Sequence, residues 1–206
     1  MSNVPGKVRN SVHSANSRFI RFFDMVETES NKRIYLLFFS LTLIIIVPIL
    51  IAYEFEEDST RYEHKDLDIF RDRAETILEG DLLYRDTEHV TLTPPLINYL
   101  FVPAVLLGNT ALVWTCWFAV FGFLSSVILY HILLGLFEKR YAVAGTIFFI
   151  TSPFSNYTTI LMMQDDAIIV SFLLLTFLFI IRKSWYKAAA AFGLGTMVKV
   201  LSLIHI

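Results

Sequence analysis

The sequence predicts an all-α polytopic membrane protein, with about five transmembrane helices and an amphipathic outer-surface helix in the first extracytoplasmic loop. Three observations predict it. The 206 residues are 55% hydrophobic and 15% aromatic, with a mean hydropathy of +0.59, more apolar sequence than a soluble domain of this size needs. Residues 34–53 carry no charge, and about 20 apolar residues in a helix cross a bilayer core of roughly 30 Å. The charges are also segregated. The first 33 residues carry Lys7, Arg9, Arg18, Arg21, Lys32 and Arg33 against Asp24, Glu27 and Glu29, whereas residues 54–92 carry thirteen acidic and five basic side chains. Basic residues stay on the cytoplasmic side, so the N-terminus reads as inside and the acidic loop as outside.

Residues 1–33 form a polar cytoplasmic tail. Within it, "SRFIRFFDMV" fits a short amphipathic helix on the inner leaflet as well as it fits a floppy tail. Residues 34–206 read as one transmembrane domain that includes the outer loop 54–92. The first span is too long for a signal-peptide core, and Glu54, Glu56, Glu57 and Asp58 follow it instead of a small-residue cleavage site. Pro48 is expected to kink it. In the loop, Leu67, Phe70, Ala74, Ile77 and Leu78 recur at helical spacing. Arg71, Asp72, Glu75 and Glu79 take the other face, and Gly80 is a natural stop.

Residues 95–108 are apolar but too short for an upright span, and Pro94, Pro95, Pro103 and Gly108 break them up; they suit an interfacial or re-entrant helix. Residues 110–137 form the next span, which ends at Lys139 and Arg140. "YAVAGTIFFITSPF" returns outward to near Pro153, and 152–166 is an outer turn carrying an Asn-Tyr-Thr glycosylation pattern at 156–158. Residues 167–181 go back in and are closed by Arg182, Lys183 and Lys187. "AAAAFGLGTMVKVLSLIHI" starts outward again and stops without flanking polar residues, as expected of the N-terminal part of a longer protein.

Three places carry chemistry, and all three fall on the outer side. Asp66 and Asp68 begin the loop helix. An Asp there caps a helix, or serves as a catalytic carboxylate whose partial desolvation makes it a better proton acceptor. Asp165 and Asp166, preceded by Gln164, open a span. Carboxylates suit the positive end of a helix dipole, yet ionisable groups at membrane depth are costly and functional. Lys199 sits in "GLGTMVKVL", where it snorkels or faces a phosphate as a point charge. Acid, acid pair and cation converging in an outward-opening cavity suit transfer from a lipid-linked phosphate donor. The carboxylate activates an acceptor hydroxyl, and the cation stabilises the phosphate leaving group.

The order "DLDIF", "RAETILEG", "LLYRD", then "PPL" with "YLFVP", resembles the first outer loop of the multi-spanning lipid-linked-sugar glycosyltransferases of the GT-C type. Asp66 takes the motif position, with Phe70 as the aromatic, followed by Gly80, Tyr84, Pro94 and Pro95. Gln164 and Asp166 resemble a later Gly-Gln-x-Asp. "GLGTMVKV" resembles a small-residue span followed by Thr-Lys-Pro, which puts Lys199 on the motif lysine. The chain departs at Met163 for Gly, Val198 for Thr and Val200 for Pro. The resemblance covers residues 30–200 and implies a mannosyltransferase- or arabinosyltransferase-like enzyme. Such an enzyme uses a polyprenyl-phosphate sugar, acts on the extracytoplasmic face of the plasma membrane, and serves a glycan, protein or lipid acceptor. It implies Asp66 as general base, with Asp68 the nearest alternative, and inversion at the anomeric carbon. It also implies donor and acceptor contacts from Gln164, Asp165, Asp166, Lys199 and Tyr84. Asp165 and Asp166 then bind Mg²⁺ or Mn²⁺ or orient the acceptor.

A transporter with Asp165 and Asp166 as its ion site is the alternative, but transporters show inverted repeats and midplane charges. No basic patch supports nucleic-acid binding. Paired histidines for haem or quinone are missing from the spans, with His131 the only one inside a span. The single Cys116 forms no internal disulfide.

Overall fold

The computed structural model describes residues 25–55, 65–87 and 93–199, which form helices and connections with no strand. In chain order these are α1 (Asn31–Phe55), α2 (Lys65–Glu79), α3 (Pro95–Leu106), α4 (Ala111–Leu136), α5 (Lys139–Ile150) and α6 (Pro153–Asn156). A π-helical turn (Tyr157–Leu161), α7 (Asp166–Ile181) and α8 (Trp185–Val198) follow. Most of the tail, residues 56–64 and 88–92 of the outer loop, Val200 and the last residues lie outside the described residues.

Residues 31–51 of α1 and all of α4 are long and apolar enough to cross a membrane, while α3 and α7 are apolar but shorter. Local signals set the boundaries. The Thr110 hydroxyl accepts from the Val113 N–H at 3.3 Å and caps α4. Gly80, at φ +83°, ends α2 as the sequence predicts. Pro95 occupies the first turn of α3, where its missing N–H costs nothing. The first helix runs on through Pro48.

Packing centres on α4, which contacts α1, α5 and α7, while α7 contacts α8. Ser125 and Ser171 share a buried hydroxyl hydrogen bond of 2.8 Å between α4 and α7. The buried face of α8 is Ala188, Ala191, Gly195 and Val198, three of them small. Small residues let backbones approach, and a Cβ on Gly195 would lie 3.2 Å from Phe172.

Three expectations need correction. Leu78 does not belong to the buried face of α2: it is 44% exposed, and Arg73 and Thr76 are buried instead. The cause is that α2 docks on α3 through a narrow stripe, with Phe70 stacked on Phe101 at 4.3 Å. The 152–166 segment is more than a turn. Thr159 and Ile160 are buried, and the Met162 N–H donates to the Tyr157 carbonyl at 2.9 Å, the wide i→i+5 bond of a π-turn. The Asn156 side-chain amide within it donates to the Ile150 carbonyl at 2.9 Å. Finally, Lys199 is not inside a helix: α8 ends at Val198 and Lys199 is extended at φ −156°.

Long-range polar contacts gather at two ends of the bundle. At one, the Lys139 ammonium bonds the Glu29 carbonyl, and the Arg140 N–H donates to Glu27 Oε1 at 3.0 Å. There too, Tyr130 donates to Asn31 Oδ1 at 3.1 Å. At the other lie the start of α2, the start of α7 and the end of α8.

Candidate active site

The site is positioned by the core beneath it. Leu67, Met163 and Val198 are each 1% exposed or less, and all belong to one apolar cluster with Phe70, Phe101, Trp114 and Phe118. Burying each such side chain is worth about 1.5–3 kcal/mol, so these three anchor their segments. Their chain neighbours are Asp66, Gln164 and Lys199. Three distant segments thus deliver their polar residues to one surface because their apolar neighbours share one core.

Gln164 Nε2 donates to Asp66 Oδ2 at 2.7 Å, across 98 positions of sequence. Lys199 Nζ donates to Asp165 Oδ1 at 3.0 Å and to Asp166 Oδ1 at 3.3 Å. Asp66 is exposed, Asp165 is 6% exposed, and the Asp166 side chain is half exposed. Burial pushes the Asp165 carboxyl up, while the Lys199 ammonium beside it works in the opposite direction.

Two predicted residues stand apart. Asp68 is two positions from Asp66, which on a helix is the opposite side. It pairs with Arg71 at 3.6 Å and lines a polar groove with Asp72, Glu75, Glu79 and Asp86. The Tyr84 hydroxyl donates to the Thr93 carbonyl at 3.0 Å and so fastens the connection leading into α3.

Two residues were missed. Asn109, at φ +53°, donates to Glu75 at 2.8 Å and accepts from the Trp114 indole at 2.9 Å, which ties α2 to the start of α4. Its position before Thr110 carried no signal beyond a turn. Arg73 is 6% exposed. It falls on the same helical stripe as Asp66 and Phe70, and a basic residue on an apolar stripe was the available signal.

Met163, which stands where the resembled motif has Gly, sits at φ +47°. That left-handed conformation costs a side-chain-bearing residue roughly 1–2 kcal/mol. The departure in sequence keeps the glycine-like backbone, and burial of the thioether in the core offsets the strain.

The Lys199 ammonium holds both Asp165 and Asp166, and among the described residues no group of three or more His, Cys, Asp or Glu lies together. Beside the pair opens a cavity of about 430 Å³, largely apolar, with Phe149, Phe154, Val170 and Leu173 in its wall and Asp166 and Lys199 as its charged lining.

Residues 93–206 match the family model described as dolichyl-phosphate-mannose-protein mannosyltransferase. No curated protein and no solved structure matches the chain. The family match spans more than half of the sequence and agrees with the GT-C-type resemblance of the outer-loop motifs. With its apolar helices, this makes the protein a membrane-embedded, mannosyltransferase-type glycosyltransferase with a polyprenyl-phosphate sugar as donor. The chain belongs to the dolichyl-phosphate-mannose-protein mannosyltransferase family.

Proposed function

We propose that this chain carries the base and the leaving-group cation of an inverting hexosyl transfer, from a polyprenyl-phosphate mannose to an acceptor hydroxyl. The observation that carries the reading is the meeting of Asp66 with Gln164 at 2.7 Å beside the Lys199 contacts to Asp165 and Asp166. Asp66 is the exposed carboxylate, open to an incoming acceptor. It removes the hydroxyl proton as the oxygen attacks the anomeric carbon. The bond from that carbon to the phosphate oxygen breaks, its electron pair leaves with the lipid phosphate, and the configuration inverts. Gln164 orients the base through its amide.

Lys199 lines the cavity with Asp166 and stabilises the charge that develops on the leaving phosphate. The apolar wall of that cavity suits the first isoprene units of the donor. Because an ammonium takes the place between Asp165 and Asp166 that a divalent ion needs, the transfer is proposed to run without one.

The proposed topology has five crossings: α1, α4, α5 continued by residues 153–161, α7 and α8. The end with Lys139, Arg140, Arg182 and Lys183 is then cytoplasmic and the carboxylate end extracytoplasmic, in line with basic residues staying inside. We assign the plasma membrane as the site of action.

The test is a transfer assay on membranes holding the full chain. Radiolabelled polyprenyl-phosphate sugars serve as donors, and wild type is compared with Asp66→Asn at matched abundance. Label leaving the lipid with wild type and staying on it with the variant supports the reading. Equal transfer by the two refutes Asp66 as the base.

A further inference from the structure

We propose that Arg73 is a positioning residue of this site: a buried guanidinium that locks the connection at Thr93 onto α2 and balances the charge of Asp66 and Asp165. The proposal rests on the reading of Asp66 as base and deepens it.

Geometry carries it. Arg73 is 6% exposed, while Glu75 and Glu79 of the same helix are exposed. Its Nη1 donates to Thr93 Oγ1 at 3.1 Å. The Thr93 carbonyl accepts the Tyr84 hydroxyl at 3.0 Å, so the residue before Pro94 is held from two sides. Arg73 Nε is buried and has no hydrogen-bond partner among the described residues. A guanidinium kept from water with a donor unused is costly as a purely structural tie, because buried polar groups are ordinarily satisfied. Arg73 and Asp66 also lie seven positions apart on one helical stripe. Helical side chains lean toward the N-terminus, so the long Arg73 side chain leans toward Asp66.

The charge balance needs such a group. Lys199 pairs with Asp165 and Asp166, whereas Asp66 accepts from the neutral Gln164 amide. Asp66 and Asp165 repel each other, which adds to the upward push on Asp165. Burial lowers the Arg73 pKa, and Asp72, Asp165, Tyr84 and Asp66 oppose that lowering. The titratable groups that act on it are therefore Asp66 and Asp72 of α2, Tyr84 of the connection and Asp165 just before α7. Asp68 is held by Arg71.

The experiment compares wild type, Arg73→Gln and Arg73→Lys in full-chain membranes. A misplaced catalytic group costs up to about 100-fold in rate, so Arg73→Gln is expected to lose roughly 10- to 100-fold in kcat. The donor KM is expected to stay within about twofold, since ground-state binding is not what is removed. The acidic limb of the kcat–pH profile moves to higher pH in Arg73→Gln, because losing a nearby cation disfavours ionised carboxylates. Arg73→Lys keeps the charge and leaves that limb at its wild-type position.

Equal losses in both variants that track lost abundance, with the limb unmoved, overturn the proposal. If wild type moves no sugar from any donor, the functional reading fails instead. Infrared titration of the protonated carboxyl band then decides the role of Arg73 without turnover. A band that persists to higher pH in Arg73→Gln than in wild type supports it, and superimposable titrations overturn it.

Discussion

At one end of the helix bundle Lys139 and Arg140 meet the segment that leads into α1, while at the other Asp66, Gln164, Asp165, Asp166 and Lys199 meet one another. Both ends are charged, but the contacts differ in kind. The ion pairs at the first end are local and exposed: Arg33 with Glu29 at 2.9 Å and Arg140 with Glu138 at 2.6 Å. Its long-range links run through backbone groups and neutral side chains, such as the Tyr35 hydroxyl against His131 Nε2 at 2.8 Å. At the second end, beside the local Asp68–Arg71 pair, Lys199 makes long-range ion pairs, reaching back 34 and 33 positions to its carboxylates. Exposed local pairs contribute about 0–1 kcal/mol each and are replaceable. A pair that joins separate helices with Asp165 buried is not. In the proposed topology the first end orients the chain by its count of charges, and the second holds the proposed site by their geometry.

The difference is sharpest for two lysines. Lys199→Met leaves the buried Asp165 without its cation, and an unsatisfied buried charge costs about 1–3 kcal/mol or more. Thermal melting in detergent should drop accordingly, and donor-label transfer should fall by at least about 100-fold, the loss typical of one stabilising group at a developing charge. Lys183→Met should leave both measurements nearly unchanged, within about 0.5 kcal/mol.

Leu67→Ala tests whether the core places the site, because Leu67, the chain neighbour of Asp66, belongs to the shared cluster. A loss of about 2–5 kcal/mol is expected, together with reduced transfer at temperatures where the protein stays folded. Replacing Lys139, Arg140, Arg182 and Lys183 together by Gln should change stability by little but misorient a fraction of molecules. A cysteine placed in the α4–α5 turn then becomes accessible to a membrane-impermeant thiol reagent.

The smallest effect concerns Met163. Met163→Ala loses packing and keeps the strained backbone, whereas Met163→Gly loses packing and relieves it. The glycine variant should be the more stable of the two by about 1 kcal/mol, despite its smaller side chain. A more stable alanine variant would show that the left-handed conformation carries no cost.

Much of this was legible in the sequence because it depends on local pattern. Apolar length located α1, α4 and α7, Gly80 marked the end of α2, and charge segregation separated the two ends. The motif residues Asp66, Gln164, Asp166 and Lys199 were found by order and spacing, and they do converge. What was not legible depends on which faces dock. Helical periodicity puts Asp66 and Asp68 on opposite sides of α2, but only the docking of α2 decides which side meets Gln164. Lys199 read as part of the fifth apolar stretch because Val200 supplies no stop signal, yet α8 ends before it. Arg73 was passed over because its burial depends on Thr93, twenty positions away across the connection.

The decisive measurement is transfer from a radiolabelled polyprenyl-phosphate sugar by Asp66→Asn and Asp68→Asn, side by side in full-chain membranes at equal abundance. Removing a general base costs about 10²–10⁴ in rate, so Asp66→Asn should fall by that factor while Asp68→Asn stays within about threefold of wild type. Loss of transfer in Asp68→Asn with activity kept in Asp66→Asn would contradict the account. It would mean that the face of α2 turned toward Gln164 is not the face that does the chemistry.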